Sequence, residues 1–422
     1  MWWEISKHLE VKKHELFIGG IATTSLTEEY GTPLYIYNFD RVTENIARIR
    51  KAFSSADIDI KIYYATKANP SLALLKFLID KVDGIDAASP NEMKATLQAG
   101  FSSSRIMLTA PGLSNGDLRE IIKKKIIINL DSFSQLEKLA RLIKDYPISF
   151  RLNPTKGAGL HKHVITAGKY VKFGIKEEKI IRAYKKALEL GLRPVGLQEH
   201  IGSGWLGKDV KLFLDTVRKL VKIAKEVNNF TKLKFLDFGG GPGVPYKKQD
   251  KIFPLSEYAR GIAKETKSLE TEIRIEPGRY LVGDSGILLM KVEHISEKEK
   301  YVPVATVNAG FNVFRRPFTY GAYHEIVACS KADAKTEKGY MIAGNLCESG
   351  DVFNESREKL RRMPALQEGE ILALLNAGAY GFAMSSQFNL RLRPAEVAIV
   401  NGKVKLIRKR ENYKDWKRNQ LV

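Results

Sequence analysis

At 422 residues, with 44% hydrophobic and 28% charged side chains, the chain has the composition of a soluble globular protein. It is long enough for one barrel-sized domain plus a smaller one. No apolar run approaches the roughly 18 residues of a membrane span, and residues 1–7 lack an apolar core of signal-peptide length, so a cytoplasmic protein with no membrane partner is expected. The formal charge of +21 raises nucleic acid as a partner, but acids are interspersed even in the basic end from Arg408 to Arg418 and no nucleic-acid motif accompanies them; a solvated surface that helps attract anionic ligands is the reading adopted.

Before Tyr35 the pattern is of short strands such as Leu16-Phe17-Ile18. From residue 36 to residue 283, β-branched runs alternate with amphipathic stretches: 58–64 before 71–80, 126–129 before 134–144, then 148–152, 195–201 before 210–227, and 235–238 before 255–267. Repeated strand–helix units imply parallel pairing, and the span matches the roughly 250 residues of a (β/α)8 TIM-like barrel, an α/β fold. After residue 284 come strand patterns at 287–292, 301–307, 338–343, 371–375 and 396–400 with little helix. Residues 284–422, with 1–35, are therefore expected to form a mainly antiparallel β-domain.

In such a barrel the chemistry collects at the carboxyl ends of the strands, and the unusual residues fall there: Lys67, Asp86, Arg151, His200, Gly239 and Glu276. A strand signal runs into Lys67 through Tyr63-Tyr64-Ala65-Thr66. Partial desolvation there favours the neutral amine, a better nucleophile toward an aldehyde; the alternative is a lysine that keeps its head in water. Gly239-Gly240-Gly241-Pro242-Gly243 follows another strand, where either backbone amides approach a phosphate or the chain simply turns tightly. It does not fit a dinucleotide fingerprint, because Pro242 and the late position are wrong for a helix-opening turn.

Glu276-Pro277-Gly278-Arg279 ends a further strand. Its acid and its base can pair with each other, or Gly278 and Arg279 can add amides to an anion cradle while Glu276 keeps a pyridine ring protonated. His200-Ile201-Gly202-Ser203 supplies a flat imidazole and a hydroxyl. Lys67, the glycine run, Glu276 and His200 together describe a site for pyridoxal 5'-phosphate on a barrel. The two cysteines, Cys329 and Cys347, are too few for a disulfide framework. His161 and His163 alternate in a loop-like stretch and read as a solvated or substrate-proximal segment; no metal is expected.

The chain resembles the barrel-type, fold-type III pyridoxal-phosphate decarboxylases of basic amino acids, above all those acting on diaminopimelate. The resemblance runs from Tyr30-Gly31-Thr32-Pro33-Leu34-Tyr35 to Pro394-Ala395-Glu396-Val397 and includes Arg151-Leu152-Asn153-Pro154, Val164-Ile165-Thr166-Ala167-Gly168 and Lys172-Phe173-Gly174-Ile175. It implies an alanine racemase-like pairing of barrel and β-domain. Lys67 is then expected to carry the cofactor covalently, with Asp86 and Arg151 supporting that end and His200 stacking on the ring. Ser203, Gly239, Gly240, Gly241 and the amides of Gly278 and Arg279 hold the phosphate, Glu276 pairs with the pyridine nitrogen, and Tyr380 also reaches the cofactor.

In this family the segment Leu346-Cys347-Glu348-Ser349-Gly350-Asp351 crosses to the neighbouring subunit, which implies a homodimer with shared sites and Cys347 as proton donor. Arg279, Arg316, Tyr320 and Glu348 stand where relatives hold the distal amino-carboxylate of diaminopimelate; ornithine-type relatives carry an aspartate at the position of Glu348. The implied reaction converts meso-2,6-diaminopimelate to L-lysine and carbon dioxide, the last step of lysine biosynthesis. The alternatives are a decarboxylase of ornithine, lysine or arginine, a racemase, which needs an acid or base on each ring face, and a cofactor-free regulatory binder. Two departures from the family pattern are Gly204-Trp205, where a glutamine usually follows the serine, and Asn91, where a glycine is common.

Overall fold

The computed structural model describes residues 1–161, 163, 165–297 and 301–421. Val164, in one of the segments that carry the resemblance, lies outside the described residues. The chain divides into two compact units, one of Asn45–Val244 with Lys251–Tyr280, the other of Met1–Glu44 with Pro245–Asp250 and Leu281–Val422.

In the first unit eight parallel strands close into a barrel: β1 (Ile60–Ala65), β2 (Gly84–Ala87), β3 (Ile106–Leu108), β4 (Ile127–Leu130), β5 (Pro147–Asn153), β6 (Arg193–Glu199), β7 (Phe235–Asp237) and β8 (Glu272–Ile275). Each pairs with the next, and β8 returns to β1 through Ile273 beside Ile60. The short strand Ile175–Lys176 adds to β5 outside the ring. The strands are buried almost throughout, which is why they read as near-continuous apolar runs. Serines set where several helices begin. Ser89 accepts the Glu92 N–H ahead of Pro90–Ala99, Ser114 forms a capping box with Asp117 ahead of Asn115–Lys123, and Ser132 accepts the Gln135 N–H. That last cap starts the helix at Phe133, one residue before the periodicity predicts.

In the second unit Gly286–Ser296 is the central strand. It pairs antiparallel with Leu34–Asn38, Ile371–Leu374 and Val304–Val307, and Leu34–Asn38 runs parallel to Ala395–Val400. Leu16, Ile18, Ile36, Leu289, Val397 and Ile399 share one core and are fully buried, each side chain contributing roughly 1.5–3 kcal/mol by burial. The N-terminal strands are thereby tied to strands from the far end of the chain. No helix among the described residues is long and apolar enough to cross a membrane.

Candidate active site

Because the barrel strands run parallel, their carboxyl ends open on one rim, and the singled-out residues of this unit meet there. Lys67 lies in a 3-10 turn, Thr66–Ala68, two residues beyond β1. The register that places Ala65 beside Asp86 brings the Lys67 ammonium to Asp86 Oδ2 at 2.9 Å. Asp86 is fully buried while the Lys67 side chain is 36% exposed, so desolvation of the lysine is partial, as its place on the rim dictates.

On β5, Arg151 donates to the carbonyl of His200 at 3.2 Å and lies over the Phe173 ring at 4.6 Å. Burial lowers this guanidinium from its ordinary value, opposed by the charges of Glu276, Asp86 and Asp131. His200 Nδ1 accepts the Gly240 N–H at 3.2 Å, which places the proton of the neutral ring on Nε2. His200 is half-buried as a residue; desolvation by burial, then the Lys67 ammonium and Arg151, holds its ring well below the usual imidazole range. His200 is a neutral, flat surface at neutral pH.

The glycine turn is dictated by what lies behind it. A Cβ on Gly239, whose φ is +65°, would sit 2.2 Å from the Glu199 carbonyl oxygen, and one on Gly241, at φ +134°, 2.4 Å from the Trp205 ring. Two of the three amides work inside the protein: Gly239 N–H donates to Asp237 Oδ1 at 2.8 Å and Gly240 N–H to His200 Nδ1. The Gly241 N–H has no hydrogen bond among the described residues, while its carbonyl accepts from the amides of Gly204 and Trp205 at 2.8 and 2.9 Å. Trp205 is fully buried, with its indole N–H on the Ala158 carbonyl. The departure at Gly204-Trp205 thus forms the floor of this turn, and Asn91, exposed in the first turn of its helix, is a surface change. Arg279, buried, donates Nε to Ser203 Oγ at 3.2 Å.

Glu276 is 3% exposed; its Oε2 accepts from Gln198 at 3.0 Å and its Oε1 has no partner among the described residues. Burial, then Asp237 and Asp86, push this carboxyl well above its ordinary range, against the pull of Lys67 and Gln198. A cationic ring N–H would supply what Oε1 lacks and restore the carboxylate. On this count, with the Gly241 amide and the Lys67 amine on the same rim, the residues fit pyridoxal phosphate. Gln198 and Asp237 were not anticipated, although alternation offers a signal: each stands two residues before a singled-out position, His200 and Gly239.

Glu199, between Gln198 and His200, is fully buried, and its Oε1 accepts from Thr216 at 2.9 Å while Oε2 has no partner among the described residues. Burial pushes its carboxyl up to about 8. A raised acid supports the fold fully below its unfolded pKa and loses that support as pH rises toward the folded value, here between about pH 4.5 and pH 8, at roughly 1.4 kcal/mol per pH unit. Glu199→Gln is expected to flatten that slope in denaturant unfolding measured across the interval; an unchanged slope contradicts the assignment.

In the other unit Arg316, buried, donates Nε to His324 Nε2 at 3.1 Å, with the Tyr246 and Tyr320 rings at 5.4 and 6.0 Å. His324 Nδ1 faces the Leu375 carbonyl at 2.9 Å, so its N–H is there and Nε2 is the acceptor for Arg316. Cys347 and Glu348 are exposed. The Cys347 N–H donates to Asn389 Oδ1 at 2.6 Å, and buried Asp351 accepts the amides of Phe311 and Leu346 at 2.7 and 2.9 Å, pinning the segment from within. Tyr380 sits at φ +56° and is half-buried.

Comparison with known proteins agrees with this geometry. Residues 39–283 match the model of the pyridoxal-dependent decarboxylase family, pyridoxal binding domain. The chain is 41% identical to the diaminopimelate decarboxylase of Methanothermobacter thermautotrophicus, over 97% of this chain and 96% of that one, and 35% identical to that of Aquifex aeolicus over the same shares. Among solved structures it is similar to diaminopimelate decarboxylase from M. jannaschii in co-complex with L-lysine, with a TM-score of 0.90, 31% identity and 98% of both chains covered. A lysine/ornithine decarboxylase from Vibrio vulnificus, 20% identical at a TM-score of 0.77, shares the fold. A closed barrel joined in the chain to a mainly antiparallel β-unit is thus a fold shared with these solved structures, and the chain belongs to the pyridoxal-dependent decarboxylases.

Proposed function

We propose that this enzyme removes one carboxylate of meso-2,6-diaminopimelate as carbon dioxide and leaves L-lysine, using pyridoxal 5'-phosphate bound on the barrel rim. The observation that carries the reading is the buried oxygen of Glu276 that has no partner among the described residues, one residue past β8, the strand that pairs with β1 ahead of Lys67. When bound, the cofactor supplies an aromatic electron sink for the charge that decarboxylation leaves on the α-carbon. Lys67 attaches it, and Asp86 and Arg151 hold that end of the site. His200 offers the neutral ring on which the cofactor lies, Glu276 answers the ring nitrogen, and Ser203 with the Gly239-Gly240-Gly241 turn, Gly278 and Arg279 receives the phosphate. Because the Gly239 and Gly240 amides are already engaged, Gly241 is the first of the three to face the anion.

Substrate choice falls to Arg279, Arg316, Tyr320, Glu348 and Tyr380. Two guanidinium groups meant for a distal carboxylate remain unmet when ornithine or lysine enters, a mismatch of the kind that discriminates by about 10⁴. Cys347 Sγ–H delivers a proton to the carbon that the carboxylate leaves. We place residues 36–283 as the cofactor-binding part and 1–35 with 284–422 as the part that completes the site in a homodimer, the segment around Cys347 of one copy serving the other. Both cysteines are free thiols, which suits the cytoplasm. Turnover of meso-diaminopimelate with cofactor present is expected to yield L-lysine and carbon dioxide, with ornithine and arginine far poorer. Good activity on either of those without lysine formation from diaminopimelate would move the assignment to a sibling decarboxylase.

A further inference from the structure

Asp237 closes β7 and is fully buried. Its Oδ1 accepts the Gly239 N–H at 2.8 Å and so holds the glycine turn, while neither its Oδ2 nor Glu276 Oε1 has a hydrogen-bond partner among the described residues. The two side chains lie within hydrogen-bonding reach of each other, on neighbouring strands. Two ionised carboxylates are acceptors only, so a hydrogen bond between them requires a proton on one of the two. Their surroundings do not supply enough positive charge to keep both ionised. Arg274 attracts Asp237 but is also paired with Glu272 at 2.5 Å; Asp86 repels both acids; Tyr63 and Tyr258 face Asp237 as neutral phenols; Lys67 and Arg151 act on Glu276. Burial, then the charge of Asp86, pushes Asp237 up to about 7 against the pull of the Gly239 amide, Arg274 and the hydrogen bond with Glu276, while burial and the charges of Asp237 and Asp86 push Glu276 well above its ordinary range.

We propose that Asp237 is a positioning residue that shares one proton with Glu276, so that a single side chain ties the acid facing the ring nitrogen to the turn facing the phosphate. The pair carries one negative charge. Opposite a cationic ring nitrogen Glu276 takes that charge, and Asp237 keeps the proton on Oδ2 and donates it in a hydrogen bond. The inference rests on the cofactor reading above and adds the protonation of the carboxyl behind it.

The test compares Asp237→Asn with Asp237→Ala in the full chain. Asparagine can still accept from Gly239 and can donate an amide N–H to Glu276 without a shared proton. Titration of cofactor-free protein with pyridoxal phosphate, followed by the visible absorbance of the lysine-bound cofactor, is expected to give Asp237→Asn an affinity within about threefold of wild type and Asp237→Ala a loss of about tenfold or more. The infrared difference between wild type and Asp237→Asn at neutral pH, both cofactor-free, is expected to show loss of one buried neutral carboxyl; it needs no alanine variant, should that fail to fold. Asparagine binding as weakly as alanine, alanine binding like wild type, or an unchanged infrared spectrum overturns the proposal. Failure of wild type to bind pyridoxal phosphate overturns the cofactor reading instead, and the infrared difference still decides the shared proton.

Discussion

Lys67→Ala is expected to lower decarboxylation of meso-diaminopimelate by at least about 10³-fold and to abolish the visible absorbance of the bound cofactor. Loss of the amine removes the group proposed to attach the aldehyde, and Arg151, which stays protonated and buried under its cation–π contact, cannot replace it. The same change leaves Asp86 buried without its ion-pair partner, so some stability is lost as well. Lys67→Arg separates the two effects. It restores a cation for Asp86 yet cannot attach the cofactor, so it is expected to recover thermal stability without activity. Activity in Lys67→Arg comparable to wild type would show that the amine is not the point of attachment.

Glu276→Gln is expected to act in opposite directions on catalysis and on stability. Loss of the carboxylate removes the charge that answers the ring nitrogen, and kcat is expected to fall by about 10²–10³-fold, since such electrostatic groups act chiefly in the transition state. In the cofactor-free protein the same acid is a burden, because burial and two neighbouring acids raise it well above its ordinary range. A raised acid supports the fold at low pH and loses that support as pH climbs, so the cofactor-free Glu276→Gln protein is expected to be the more stable one at pH 8 and to gain little at pH 5. Thermal midpoints at the two pH values, beside kcat for the loaded enzymes, check both arms. A variant that is both active and no more stable at pH 8 contradicts the electrostatic account of the site.

The rim was legible in the sequence because its residues are chemically out of place: a lysine running on from an apolar strand, a triple glycine, an acid before proline and glycine. Their convergence follows from one inference, parallel strands in a closed barrel, since parallel strands must end on one face. The connections among these residues were not legible. That Gly239 and Gly240 turn their amides inward, or that Asp237 and Gln198 stand behind Glu276, depends on register between β6, β7 and β8, which no single segment encodes. For the same reason Asp351 could be quoted as the end of a motif but not read as the anchor of the Leu346 amide. His324 passed unnoticed because a buried histidine in an apolar stretch looks like core until its two hydrogen bonds are seen.

Reduction of the pyridoxal-phosphate-loaded protein with borohydride, followed by peptide mapping, tests the central claim most directly, because it records covalently which amine held the cofactor. The account predicts a phosphopyridoxyl group on Lys67 and on no other lysine. A stoichiometric label on a different lysine, or none on protein that decarboxylates diaminopimelate, would contradict it.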